Sequence, residues 1–264
     1  QGAAYKTAPS VLWELGAEVV PIGVHPNGYN INDNCGSTHP EVAVAKVLET
    51  GADLGICLDV DADRVVLIDE TGQVADGDQI MALIATRWAD SGRLKHNTLV
   101  ATVMSNLGME HYLSTKGIAL KRTAVGERYV VEEMRAGGFT LGGDQSGHIV
   151  MTDYATTGDG LIGALQFLAS MVETGQKASE LAQVFDPVPQ RLINVRYDKS
   201  KRPLGEGTVQ DAIAAAETRL GRDGRLLIRK SGTEPLIRVM GESTDVVLLE
   251  DVLSAVVDAV KIAS

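Results

Sequence analysis

The feature that most constrains the fold is a repeated alternation of strand-like and helix-like segments. Apolar runs such as "LGICLD" and "TLVATVM" read as strands, and "DQIMALIATRWADSG" has the apolar spacing of a helix. The short run "EVVPIG" (18–23) is also predicted to be a strand. Alternation of this kind is typical of α/β domains with parallel or mixed sheets. After Arg191 the order becomes strand, helix, two strands and helix, which predicts a small α+β domain.

Proline residues in "FDPVPQ" indicate a linker between these two parts of the chain. A length of 264 residues is typical of about two ordinary domains or several small ones. We predict two mixed-sheet α/β domains, 1–91 and 92–187, followed by a small α+β domain, 188–264. Because the chain has no initiator Met, we also expect that it was cut from a longer protein.

Charge and composition exclude several classes of partner. The formal net charge is −11, which argues against nucleic acid and anionic membranes as partners, since both need a basic face. Two cysteines are too few for a disulfide framework. No apolar run reaches the length of a membrane span, and no leader precedes the first helix. These features predict a cytoplasmic protein; a homodimer is compatible with them, but the sequence does not define the oligomeric state.

Three aspartates at alternate positions, Asp59, Asp61 and Asp63, end the strand "LGICLD", and Arg64 follows at once. If the backbone bends there, the carboxylates converge, and converged carboxylates repel unless they share a cation such as Mg²⁺ or Ca²⁺. The spacing nearly matches an EF-hand loop, but Arg64 occupies the position that requires Gly, and the flanks are β-like. An acidic turn is the simpler alternative. We favour a metal site, with Arg64 gripping a phosphate that also ligates the metal.

A second group of polar residues lies in "RKSGTEPLIR". Small residues and hydroxyls there can form an anion-binding turn, and two flanking arginines could close on one phosphate. The alternative is a simple turn with exposed arginines, and we favour the anion site. Its candidate residues are Arg229, Ser231, Gly232, Thr233 and Arg238.

A third group lies in "GGDQSGH", where Asp144, Ser146 and His148 share the parity of a strand. On an extended backbone they would face one ligand, and a carboxylate beside a hydroxyl suits sugar hydroxyls. An ordinary hairpin turn is at least as well supported. "TTGDG" (156–160) could bind phosphate, but Asp159 is equally explained as a helix N-cap.

Taken together, these motifs resemble the α-D-phosphohexomutase superfamily, over essentially the whole chain. Within it, "GVHPNGYNINDNCGSTHPE" (23–41) is similar to the branch that acts on glucosamine phosphates. The other segments that carry the resemblance are "DVDADR" (59–64), "TAVGERYVVEEMR" (123–135), "GGDQSGH" (142–148), "TTGDG" (156–160) and "RKSGTEPLIRVMGE" (229–242).

The resemblance implies interconversion of glucosamine 6-phosphate and glucosamine 1-phosphate through a bound glucosamine 1,6-bisphosphate. It implies that the three aspartates bind Mg²⁺ and that Arg64 assists at the phosphoryl centre. Asp144, Ser146 and His148 would contact the sugar, and the anion-site residues would hold the phosphate that is not transferred. Phosphoryl transfer of this kind depends mainly on alignment and charge neutralisation.

The chain departs from the pattern in four ways. The resemblance implies that the domain with the phosphorylated serine, which lies in a Ser-His-Asn-Pro segment, is missing from this chain, so we expect the chain alone to be inactive. Asp144 replaces the usual Glu, which retracts the carboxylate by about 1.5 Å, one C–C bond. Ala124 lies where many members have a catalytic-site Lys, and Lys230 lies where Pro is common.

Three alternatives stay open at this point. The substrate could be a neutral hexose phosphate, as in phosphomannomutases and phosphoglucomutases. The chain could be a fragment that binds sugar phosphates without catalysis. A phosphatase with Asp59 as nucleophile is the third alternative, although the basic motifs it requires are not evident.

Overall fold

The computed structural model describes residues 1–231 and 234–264, and these form two compact units. The first unit comprises Gln1–Ser105 and Met109–Asp186. The second comprises Pro187–Ser264 together with the short segment Asn106–Gly108. The subdivision of the first unit into domains 1–91 and 92–187 stays a prediction, as does the boundary at 188.

Helices and strands alternate along most of the described chain. The helices are α1 (Thr7–Glu14), α2 (Glu41–Thr50), α3 (Gly77–Asp90), α4 (Leu107–Thr115), α5 (Glu127–Gly137), α6 (Gly160–Thr174), α7 (Ala178–Leu181), α8 (Gly207–Leu220) and α9 (Val246–Ala263). The strands are β1 (Leu54–Leu58), β2 (Val65–Asp69), β3 (Val74–Ala75), β4 (Thr98–Thr102), β5 (Ala119–Thr123), β6 (Leu141–Gly143), β7 (Ile149–Met151), β8 (Gln190–Arg196), β9 (Gly224–Lys230) and β10 (Leu236–Ser243).

The strands form three sheets among the described residues. The order β1-β2-β3 is antiparallel throughout. In β5-β4-β6-β7, β4 runs parallel to both of its neighbours and β7 is antiparallel to β6. The third sheet, β8-β10-β9, is antiparallel and belongs to the second unit. Two α/β sheets followed by an α+β sheet confirm the predicted fold class, although the first sheet is antiparallel rather than mixed.

Each unit has a hydrophobic core of its own, made mostly of aliphatic side chains. In the first, Leu67, Leu99 and Phe167 are fully buried between the sheets and their helices. In the second, α9 buries Leu249, Leu253 and other residues of one face against the third sheet. Each core therefore rests on the burial of its own apolar side chains. Within the described residues, no helix combines the length and apolar character that a membrane span needs.

The prediction of a strand at 18–23 is wrong, because those residues have no regular secondary structure. Val20 is exposed, and Pro21 has no N–H with which to join a ladder. An apolar run becomes a strand only when another strand supplies hydrogen bonds along it. Among the described residues none does so here.

Candidate metal and phosphosugar site

The three aspartates lie in the short loop that joins β1 to β2. Leu58 and Val65 are paired across the two antiparallel strands, so the chain must reverse between them. Ala62 makes this reversal with a left-handed φ of 65°, an uncommon conformation for a residue with a side chain. One carboxylate oxygen from each of Asp59, Asp61 and Asp63 consequently lies within 4.8 Å of the other two.

Hydrogen bonds from other segments and one within the loop hold it in place. Gly160, at the start of α6, donates its N–H to Ala62 O at 2.9 Å. Val65 donates to Gly147 O at 3.0 Å, which joins the loop to "GGDQSGH". Arg64 donates its N–H to Asp59 Oδ1 at 3.2 Å. The converged carboxylates therefore belong to a supported loop.

The environment of Asp63 fits a bound cation. Burial first, and then the neighbouring Asp59 and Asp61, raise the pKa of the Asp63 carboxyl above its ordinary value, while His148 opposes the shift. Asp63 Oδ1 is buried and accepts no hydrogen bond from the described residues. A hard divalent cation bound by oxygen ligands would relieve both the repulsion and the missing partner, so the donor set fits Mg²⁺.

Arg64 lies beside this cluster with its side chain 45% exposed. Its Nε is 3.9 Å from Asp63 Oδ1, so the guanidinium lies next to the carboxylates and still reaches solvent. This placement is compatible with a group that grips a phosphate at the metal, and the role itself stays a prediction.

"GGDQSGH" forms the turn between β6 and β7, as the sequence predicted. Asp144 Oδ1 accepts hydrogen bonds from the N–H and the hydroxyl of Ser146, at 2.9 and 2.6 Å. The turn is tied to α3, because Gly77 donates to Gln145 O and Gln145 Nε2 donates to Asp76 Oδ2. Asp144 therefore organises the turn, and its predicted sugar contact remains untested.

His148 is placed differently from the common face that strand parity predicted. The residue is 3% exposed, and its Nδ1 lies 3.0 Å from Asp63 Oδ2. Parity failed because Gly147 has a φ of 93°, which breaks the extended backbone that alternation assumes. The imidazole consequently lies against the aspartate cluster, while Asp144 and Ser146 bond to each other.

No sequence motif predicted a role for Glu127, the first residue of α5. Glu127 Oε1 lies 3.1 Å from His148 Nε2 and accepts a hydrogen bond from the Thr157 hydroxyl at 2.5 Å. The hydrogen bond from the Thr157 hydroxyl lowers the pKa of the Glu127 carboxyl. His148 lowers it further, while burial acts in the opposite direction. The available signal was an acidic residue directly after Gly126 at a predicted helix start, a position that also suits an ordinary helix terminus.

The second unit contains the other predicted cluster. Arg229 on β9 and Arg238 on β10 are direct partners across the antiparallel pair. Burial, and then the charge of Arg238, lower the pKa of the Arg229 guanidinium. Arg238 Nε is buried and has no hydrogen-bond partner among the described residues. Ser231 follows β9 and donates its N–H to Leu236 O at 2.8 Å.

Like charges opposite each other on paired strands destabilise a sheet, so this arrangement fits a bound anion that both arginines share. Gly232 and Thr233, which were also predicted to bind the phosphate, lie outside the described residues.

Two family models match the chain. Residues 76–188 match phosphoglucomutase/phosphomannomutase, alpha/beta/alpha domain III. Residues 192–259 match the C-terminal domain of the same family. The two matches lie in consecutive parts of the chain, in the order of the domain names.

Curated relatives extend the similarity to nearly the whole chain. It is 69% identical over 263 residues to a phosphoglucosamine mutase of Jannaschia sp. strain CCS1, covering 98% of this chain. It is 65% identical over 263 residues to a phosphoglucosamine mutase of Paracoccus denitrificans, covering 100% of this chain. In both cases the chain spans 59% of the relative's length.

Solved structures have the same fold. A phosphoglucomutase/phosphomannomutase family protein of Burkholderia thailandensis matches with a TM-score of 0.82 and 22% identity, over 99% of this chain and 58% of that one. Aspergillus fumigatus N-acetylphosphoglucosamine mutase, in complex with GlcNAc-6P and magnesium, matches with a TM-score of 0.66 and 22% identity, over 88% of this chain and 53% of that one. At these identities the structures support the fold alone.

Proposed function

Because the chain belongs to the phosphoglucomutase/phosphomannomutase family, we propose that it takes part in phosphoglucosamine mutase chemistry. The reaction is the interconversion of glucosamine 6-phosphate and glucosamine 1-phosphate through glucosamine 1,6-bisphosphate. The observation that carries the reaction class is the convergence of Asp59, Asp61 and Asp63 beside Arg64. The names of the relatives at 65–69% identity support glucosamine as the sugar.

Asp59, Asp61 and Asp63 would hold Mg²⁺. When bound, the ion neutralises charge on the phosphoryl group that is transferred. Arg64 would donate hydrogen bonds to the same phosphoryl group, since its guanidinium lies beside the cluster and reaches solvent. Both contributions act on charge that phosphoryl transfer spreads over the oxygens of the group.

Other residues would bind the parts of the substrate that do not react. Arg229, Arg238 and Ser231 would hold the second phosphate, together with Gly232 and Thr233, which lie outside the described residues. Support comes from the facing guanidinium groups and the buried Nε of Arg238.

The loop that carries Asp144, Ser146 and His148 would contact the sugar. In that loop the Ser146 hydroxyl is bonded to Asp144, and His148 is buried. We therefore expect the direct sugar contacts to come first from Asp144 and Ser146, because the buried His148 is less accessible to the sugar.

The test is a ³¹P NMR time course of glucosamine 6-phosphate with Mg²⁺, a catalytic amount of the 1,6-bisphosphate and the 264-residue chain. The chain contains no Ser-His-Asn-Pro segment to carry the phosphate. We therefore expect shifted or broadened substrate signals without a 1-phosphate peak. Growth of that peak would contradict the expected inactivity and would support the reaction itself.

Three controls sharpen the test. Glucose 6-phosphate and mannose 6-phosphate should perturb less than the glucosamine ester; equal or stronger effects would favour a neutral hexose phosphate. D61N should remove the Mg²⁺-dependent part of the response, whereas D211N, an exposed carboxylate on α8, should not. If no phosphosugar changes the spectrum, the proposed function is wrong.

A further inference from the structure

We propose that Glu127 is a positioning residue of the metal site, acting through His148 on Asp63. This inference rests on the proposed function, because it takes Asp63 as a metal ligand. Glu127, His148 and Asp63 come from three separate parts of the chain, and their ligand atoms lie within 4.8 Å of one another.

Both ring nitrogens of His148 lie close to a carboxylate, although Nε2 makes no aligned hydrogen bond to the described residues. Nδ1 faces Asp63 Oδ2 at 3.0 Å, and Nε2 faces Glu127 Oε1 at 3.1 Å. The ring is almost completely buried, so it has little freedom to turn away. The position of Glu127 thus sets where His148 presents Nδ1, and therefore where one oxygen of Asp63 lies.

Glu127 is itself anchored by two further contacts. The hydroxyl of Thr157 donates to its Oε1 at 2.5 Å, and the N–H of Gly158 approaches the same oxygen at 3.4 Å. A Cβ on Gly158 would overlap the His148 ring, so glycine there leaves room for the imidazole. The first turn of α5 also favours an anionic side chain.

The same three side chains could be taken for a metal site of their own. A single ion would need one nitrogen of His148 and both carboxylates around one point. Instead, Asp63 and Glu127 face different nitrogens of the ring. This arrangement corresponds to an outer shell that orients a ligand, and the loss of such partners typically reduces metal affinity about 10- to 100-fold.

The test measures Mn²⁺ binding by electron paramagnetic resonance, with the 264-residue chain and Mn²⁺ as the probe for the Mg²⁺ site. E127A should weaken binding about tenfold, the lower end of the outer-shell range. E127Q should restore most of the affinity, because its amide oxygen can still accept the hydrogen bond from the Thr157 hydroxyl. E132A, on the same helix and with a side chain 62% exposed, should bind Mn²⁺ like the parent chain.

A spectroscopic readout separates positioning from a general structural effect. The ¹⁵N imidazole signals of His148 should move in E127A and return towards the parent values in E127Q. If E127A does not fold, T157V tests the same contact more gently and should give a smaller loss of Mn²⁺ affinity in the same direction.

Unchanged Mn²⁺ affinity in E127A or T157V, beside normal binding by the parent chain, would overturn this inference and leave the proposed function intact. Equal losses in E127A and E127Q would overturn it as well. No Mn²⁺ binding by the parent chain would overturn both the metal site and the role of Glu127.

Discussion

Asp63 shows how one residue can belong to two groups of contacts. Through the loop it repels Asp59 and Asp61, and through His148 it meets Glu127. The first group favours a cation, and the second holds the carboxylate in one orientation. A residue with both sets of contacts is where a change in charge should be most visible, both in metal binding and in stability.

D63N should weaken Mg²⁺ binding and also remove a pH dependence of stability. Burial, reinforced by the neighbouring Asp59 and Asp61, raises the pKa of the Asp63 carboxyl above its ordinary value. Its contribution to stability is therefore present below that value and is lost as pH rises through the raised pKa. In metal-free buffer, the parent chain should lose stability over that range, and D63N should lose less.

Urea unfolding of both proteins from pH 4 to 8 would measure the difference, with D211N as the control for an exposed carboxylate. Identical pH profiles for D63N and the parent chain would contradict this prediction.

R238Q should have opposite effects on binding and on stability. It removes one arm of the facing pair with Arg229, so affinity for inorganic phosphate should fall about tenfold, as for one charge-assisted contact. The unliganded chain should become slightly more stable, because like charges no longer face each other. Calorimetric titration with inorganic phosphate measures the affinity, and thermal unfolding of the unliganded chain measures the stability.

The matched control is R191Q, because Arg191 pairs with Glu250 on the surface. A loss of phosphate affinity in R191Q equal to that in R238Q would show that general charge, rather than the facing pair, binds the anion.

At the level of elements, helix starts support the loops that carry the chemistry. Asp159 caps α6 by accepting the N–H of Ile162 at 2.9 Å, which favours the N-cap explanation of "TTGDG". The next residue, Gly160, bonds to the aspartate loop. Asp76 caps α3 in the same way and also holds Gln145, while burial raises the pKa of the Asp76 carboxyl. The first residues of α3 and α6 therefore form hydrogen bonds to the loops that carry the candidate site residues.

D159A should lower the free energy of unfolding by about 1 kcal/mol, the usual loss for an N-cap. D159S should retain most of that stability, because a serine hydroxyl can accept the same hydrogen bond. Chemical denaturation of the three proteins would measure this. If D159S is as unstable as D159A, the cap does not explain the residue.

At the level of the whole molecule, each unit has a main hydrophobic cluster of its own. Among the described residues, the main cluster of the first unit and the cluster of the second share no residue, and two smaller clusters also lie in the first unit. Aromatic residues make up only 4% of the chain, so both cores depend on the packing of aliphatic side chains. Loss of one such side chain should therefore act mainly within its own unit.

L253A should destabilise the second unit by about 3 kcal/mol, since Leu253 is fully buried and its truncation leaves a cavity. Hydrogen exchange should show the loss of protection mainly within residues 187–264. L67A is the reciprocal variant, because Leu67 is fully buried in the first core. Equal loss of protection across both units in either variant would contradict separate cores.

Much of the fold could be predicted from local pattern. For example, α2 and α6 each end directly before a glycine, Gly51 and Gly175, in the left-handed conformation that commonly closes a helix. The hairpin around "GGDQSGH" and the order of elements in the second unit are also as predicted. The prediction of a strand at 18–23 failed, because strand formation depends on a neighbouring strand, which an apolar run does not specify.

By itself, the sequence determined the order of helices and strands, the aspartate loop and the pair of arginines, because spacing along the chain encodes each of them. Only the tertiary structure decided that His148 lies between Asp63 and Glu127. Those three residues are far apart in sequence, and their contact depends on which loops meet at the ends of the sheets. Backbone hydrogen bonds between the loops and burial of their side chains determine that contact. Neither produces a regular spacing of residues along the sequence.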